Sequence, residues 1–172
     1  MNILISYDHR EKDLIDLPIY ELAAFALSYV GAPAHTEVSI SFVDDDTIAE
    51  LNERYRGKVG PTDVLSFECD GVTNEFDETG AMAATGAADV VTGQSCEDGE
   101  GEVYELGDVV IAPDVAERQT KEFGTTFVDE ISLLLVHSIL HLRGYDHIED
   151  DEAAIMEALE KEILSAWAES RK

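Results

Sequence analysis

The stretch from Phe127 to Arg143 constrains this chain most. It is strongly apolar and reads as one long helix, with Gly144 behind it as the closing residue. Its densest apolar run, Ile131 to Leu142, is too short to span a bilayer and carries two histidines. The spacing therefore predicts a helix buried inside a protein core, and no membrane partner is expected.

Other elements must supply the cover. Asn2 to Tyr7 alternates Ile3, Ile5 and Tyr7, and Glu37 to Val43 alternates Val38, Ile40 and Phe42, so both read as strands. Pro18 to Val30 reads as a helix, started by a proline and stopped by Gly31 and Pro33. Asp44, Asp45 and Asp46 suit a helix N-terminus, and the helix after them is predicted to run to about Tyr55, burying Ile48, Leu51 and Tyr55. Val64 to Phe67 and Leu106 to Ala112 are further strands, and Pro113 to Phe123 is a helix closed by Gly124. In the last helix, Asp150 to Trp167, the repeat Ile155, Leu159, Ile163 and Trp167 is the expected buried stripe. Trp167 reads as core.

With 172 residues, of which 45% are apolar, the chain is expected to form a single domain, 1–172. Residues 68–105 break the pattern: eleven acids, no Lys or Arg, and little hydrophobic period predict a surface insertion. Cys69 and Cys96 are too few for a disulfide framework. The N-terminus lacks the basic and long apolar regions of a signal peptide, so an intracellular, cytoplasmic protein is expected. A net charge of -27 argues against indiscriminate binding to nucleic acid, and no DNA partner is expected. A local basic cleft remains compatible with it, and the densest basic cluster is Arg54, Arg56 and Lys58.

The chemistry concentrates in the run His137-Ser138-Ile139-Leu140-His141-Leu142-Arg143-Gly144-Tyr145-Asp146-His147. Residues 137 and 141 are one helical turn apart and share a face. Gly144 can turn the chain back, so that His147 approaches the same point from outside the helix. Three imidazoles around one ion leave a fourth tetrahedral position for water, the arrangement of a catalytic zinc site, although nickel, copper and iron also accept such ligands. His9 and His35 have no such pattern and are expected at the surface. The histidine spacing equals that of metzincin proteases, but Ser138 stands where those enzymes carry their glutamate base. Asp146 or Glu149 would have to replace it, so a peptidase is the weaker alternative.

The run from His137 to His147 resembles the hallmark of the YbeY family of bacterial endoribonucleases. Tyr55-Arg56-Gly57-Lys58, Pro61-Thr62-Asp63-Val64-Leu65-Ser66-Phe67 and Leu106-Gly107-Asp108-Val109-Val110-Ile111 also match, in order. The resemblance implies an α/β domain with a small mixed, mainly parallel sheet of about four strands flanked by helices. It further implies one Zn2+ on His137, His141 and His147, catalytic participation of Arg56, and cleavage of single-stranded RNA. The implied role is maturation of the 3′ end of small-subunit ribosomal RNA and ribosome quality control, with the small ribosomal subunit and its assembly factors as partners. Three departures stand out: Ser138 for the usual glycine, Glu68 for a proline, and the long acidic insertion.

Two supporting roles are expected. Arg143 would join Arg54, Arg56 and Lys58 in a positive groove, and Asp108 and Asp146 would orient ligand imidazoles. Thr62 and Asp63 are expected to order a turn. A non-catalytic zinc-containing ribosome-assembly protein is a third reading, which the open fourth position opposes.

Overall fold

The structure, a computed structural model, describes residues 1–69, 103–145 and 150–172. Most of the acidic segment, with Cys96, and the turn carrying Asp146, His147 and Glu149 lie outside the described residues. In chain order the elements are β1 (Asn2–Tyr7), α1 (Glu11–Leu14), α2 (Ile19–Tyr29), β2 (Thr36–Phe42), α3 (Asp45–Arg56), β3 (Val64–Glu68), β4 (Tyr104–Ile111), α4 (Pro113–Phe123), α5 (Phe127–Leu142) and α6 (Asp150–Ser170). The short α1 has no counterpart in the sequence reading, as four residues are too few for a periodic signal.

The strands form one sheet in the order β1-β2-β4-β3. The first three are parallel, and β3 runs antiparallel to β4 at the edge. This is the small, mainly parallel sheet of an α/β fold. Adjacent strand residues point to opposite faces, and the two faces carry unequal cores. On one, Ile3, Val38, Ile40, Phe42, Val109 and Ile111 pack with α2, α5 and α6 in the main core. On the other, Leu65 and Val110 join Val43, Ile48 and Ala112 in a small cluster, with Leu51 of α3 packed against it.

Helix α5 is the centre of the main core. Thr126 and Asp129 close a reciprocal capping box at its start. Ile131, Leu135, Val136, Ile139, Leu140 and Leu142 have no solvent exposure, each stabilising the fold by roughly 2 kcal/mol. Its C-terminus is equally well specified. The Tyr145 N–H donates to Leu140 O at 3.0 Å and the Gly144 N–H to His141 O at 2.8 Å, while Gly144 takes φ +87°. That is a Schellman closure, and a residue with a Cβ is disfavoured at its left-handed position.

A second glycine fixes where α5 ends against the sheet. Gly107, in β4, has φ +139°, and a Cβ built on it falls 2.2 Å from Phe67 O and 3.1 Å from Leu142 Cδ2. The β4 ladder shifts register here, as Val38 pairs with Gly107 although Glu37 pairs with Glu105. The missing side chain lets the β3 backbone and the end of α5 converge on β4.

Two expectations about burial are overturned. Tyr55 is exposed: the small cluster beneath α3 stops at Ile48 and Leu51, and the chain leaves the helix at Gly57 (φ +64°). On α6, Ile155 is 51% exposed, and the deeply buried residues are Met156, Glu160 and Ile163. The buried stripe is rotated by about one residue from the apolar repeat, because it includes a carboxylate. Trp167 is core as expected, its ring 5.4 Å from that of Phe25. Among the described residues, no single helix is long and apolar enough to cross a membrane.

Candidate active site

His137 and His141 lie on the half-buried side of α5, one turn apart. Their Nε2 atoms are 3.1 Å apart and the ring planes stand at 84° to each other. Two ligands of one tetrahedral zinc, each about 2.0–2.1 Å from the ion, are separated by roughly 3.3 Å. The two nitrogens, within hydrogen-bond reach of each other, are close to that spacing, and the donor set suits zinc. His147 follows the Gly144 turn outside the described residues, so the third expected ligand is not placed.

The other nitrogen of His137 has a specific partner. Its Nδ1 is 2.6 Å from Oε1 of Glu160, whose residue is 8% exposed on α6. A buried carboxylate needs a hydrogen-bonded partner, and an imidazole whose Nδ1–H is taken presents the Nε2 lone pair. Glu160 is therefore placed to do for His137 what Asp108 was expected to do for a ligand imidazole, while Asp146 lies outside the described residues. Asp108 instead is exposed on the sheet, beside Glu37, Ser39, Cys69 and Glu105 around a cavity of about 230 Å³. The signal for Glu160 was present as an acid within the helical repeat of Met156 and Ile163, but a purely apolar pattern passes over it.

Ser138 points away from this face. It is fully buried and its hydroxyl donates to Leu134 O at 2.7 Å. The position that bears the base in metzincins holds a small, internally satisfied residue. Arg143 does not extend a surface groove either: it is 8% exposed and its Nη1 donates to the Tyr104 hydroxyl at 3.4 Å. Thr62 and Asp63 order the turn before β3 as expected. Asp63 accepts from the Val64 N–H at 2.8 Å and from Gln119 Nε2 at 2.9 Å. His35 is exposed, whereas His9 is half-buried, with Nε2 2.7 Å from Asp114 Oδ2 at the start of α4.

Arg56 is the last residue of α3, exposed, beneath the left-handed Gly57. Among the described residues no hydrogen bond or ion pair joins it to the histidines. Asn52, one turn earlier and 5% exposed, holds the loop beyond it: its Nδ2 donates to Gly60 O at 2.9 Å.

Comparison with known proteins completes this picture. A family model described as "YbeY: Endoribonuclease YbeY" matches residues 8–168. The chain belongs to the YbeY endoribonuclease family. Endoribonuclease YbeY of Acidothermus cellulolyticus is 39% identical over 160 residues, covering 93% of the chain and 88% of that relative. Its counterpart from Thermobifida fusca is 40% identical over 149 residues, covering 87% and 83%. The solution structure of TM1509 from Thermotoga maritima aligns with a TM-score of 0.55 and 25% identity, over 98% of the chain and 93% of that structure. The residues matched by the family model take in β2, β3 and β4 of the sheet, α3 and the histidine helix alike.

Proposed function

We propose that the chain is a zinc-dependent endoribonuclease that cuts single-stranded RNA in the cytoplasm, in maturing the 3′ end of small-subunit ribosomal RNA and in ribosome quality control. The observation that carries the reading is the convergence of His137 and His141 Nε2 atoms at 3.1 Å, backed by Glu160. Family membership supports RNA as the substrate class. His137, His141 and His147 would hold the ion, which supplies Lewis-acid activation of water and of a phosphoryl oxygen when bound. Glu160 holds the proton on His137 Nδ1, so that the ring neither rotates nor changes tautomer during turnover. Arg56 contributes a fixed positive charge that stabilises negative charge developing on the phosphoryl oxygens. The small ribosomal subunit and its assembly factors are the proposed partners, as they present the RNA end.

Two variants test this. His141→Ala loses zinc by metal analysis and loses cleavage of a single-stranded RNA. Arg56→Ala keeps its zinc and loses cleavage by roughly 10²–10³-fold, as expected for removing one charge-stabilising donor. Full zinc occupancy in purified His141→Ala would falsify the metal assignment, and undiminished cleavage by Arg56→Ala would remove that residue from the chemistry. In cells relying on His141→Ala, small-subunit rRNA precursors accumulate; unchanged rRNA ends would refute the cellular role.

A further inference from the structure

Tyr55 is where helical spacing and structure disagree most. The residue is 59% exposed on a helix whose periodicity would bury it. Yet the ring is fixed. Phe67 of β3 meets it at 5.1 Å between centroids and 66° between planes, and the Arg54 guanidinium carbon lies 5.4 Å from its centroid. A ring buttressed by a second ring and carrying a cation over it, on a residue still largely open to solvent, can receive a flat partner.

The surrounding charge narrows what that partner is. Arg54, Arg56 and Lys58 are all exposed, and none makes an ion pair with the described residues. Of the other cations, Arg10 pairs with Asp13, Asp114 and Glu117, Arg118 with Asp45, Lys161 with Glu157, and Lys172 with Glu169, whereas Lys12, Lys121 and Arg171, which stand singly in different parts of the chain, have no ion pair among the described residues. With 38 acids against 11 Lys and Arg, Arg54, Arg56 and Lys58 are set apart by standing together at one helix end, a place suited to an external anion. The macrodipole of α3 accounts for basic residues in its last turn, but not for an exposed, buttressed ring between them.

We infer that Tyr55 is a base-stacking platform for a nucleotide of the single-stranded RNA substrate, with Arg54, Arg56 and Lys58 taking the adjacent phosphates. The inference rests on the ribonuclease reading and deepens it by assigning a base subsite on α3. A base unstacked from its neighbours offers a π-face to Tyr55 whatever its identity, so the subsite selects single strands over duplexes without reading sequence. The platform and the histidine helix meet across the same strand edge. Phe67 carries the buttressing ring, and its carbonyl oxygen and Leu142, next to His141, both crowd Gly107.

The test uses the zinc-loaded full chain and a labelled single-stranded oligoribonucleotide, either intact or with one abasic position moved along it. In Tyr55→Leu, KM rises about tenfold to a hundredfold, the loss of one stacked base, while kcat and zinc content stay near wild type. Tyr55→Phe behaves as wild type. One abasic position raises KM equally in the wild-type protein and costs nothing further in Tyr55→Leu. Circular dichroism confirms that both variants fold. Wild-type KM in Tyr55→Leu overturns the platform and leaves the ribonuclease reading standing. Loss in Tyr55→Phe also overturns it, because the hydroxyl and not the ring would then be in use. A wild-type protein that cleaves no single-stranded RNA overturns both.

Discussion

The two faces of the sheet are built on different terms. On the α5 face the histidines sit on a helix that is capped at both ends, buried over most of its length from Glu130 onward and braced by a carboxylate from α6. On the α3 face the cations and Tyr55 stand on the exposed end of a helix that rests on a five-residue buried cluster. Chemistry at a metal requires ligands fixed within fractions of an ångström, and packing supplies that. Binding a flexible strand needs cations and a ring that accommodate different backbones and bases, and exposure supplies that. The molecule spends its core on one face and its free charge on the other.

Gly107 is where the two faces meet, so it offers the most disruptive way to break the comparison. Gly107→Ala puts a Cβ 2.2 Å from a backbone oxygen at φ +139°, and neither a rotamer change nor a flexible neighbour relieves it. The combined strain and overpacking cost is roughly 2–5 kcal/mol. For a domain of this size the melting temperature should fall by roughly 5–15 °C. Calorimetry of the purified variant decides it. An unchanged melting temperature would mean that β3 and α5 do not converge on this glycine.

Glu160 tests the α5 face alone. Glu160→Gln keeps the shape and a hydrogen-bonding group but removes the charge that fixes the His137 tautomer. Loss of such a supporting partner typically weakens metal affinity by about 10–100-fold. Competition with a chromogenic chelator measures this directly, and the loss should come with little change in RNA binding by the α3 face. Wild-type zinc affinity in the variant would reduce Glu160 to a packing residue.

These residues also mark how far the sequence could be read. The strands, α5 and its Gly144 closure follow from period, caps and a left-handed glycine, all local signals. The pairing of His137 and His141 follows from helix geometry alone. Glu160 does not, because it reaches His137 from 23 residues away through helix packing. A period that counts only apolar residues selects Ile155, while packing on α5 selects Met156 and Glu160. Tyr55 fails for the opposite reason. Its spacing is right for burial, but the cluster under α3 is too small to reach it. Arg143 looked like surface charge from its neighbours and is a buried donor to Tyr104.

The smallest effect concerns how α3 is held at the end away from Tyr55. Asp44 caps the helix by accepting the Thr47 N–H at 2.8 Å, and hydrogen bonding from the Thr47 side chain, then from this N–H, holds its carboxyl below the usual carboxylate value. Its contribution is complete above the unfolded-state pKa of about 3.9 and is lost as pH falls through the lower folded value. Asp44→Asn keeps a capping side chain without the titration. The variant should therefore melt slightly below wild type near neutrality, with the gap closing in acid below about pH 4. Because the carboxyl is solvent-exposed, the gap should also shrink in high salt. A gap that persists unchanged through the acid limb would mean that the charge of Asp44 does not anchor α3. The attachment of this outer helix would then rest on Ile48, Leu51, the loop clamp from Asn52 and the Arg118–Asp45 ion pair.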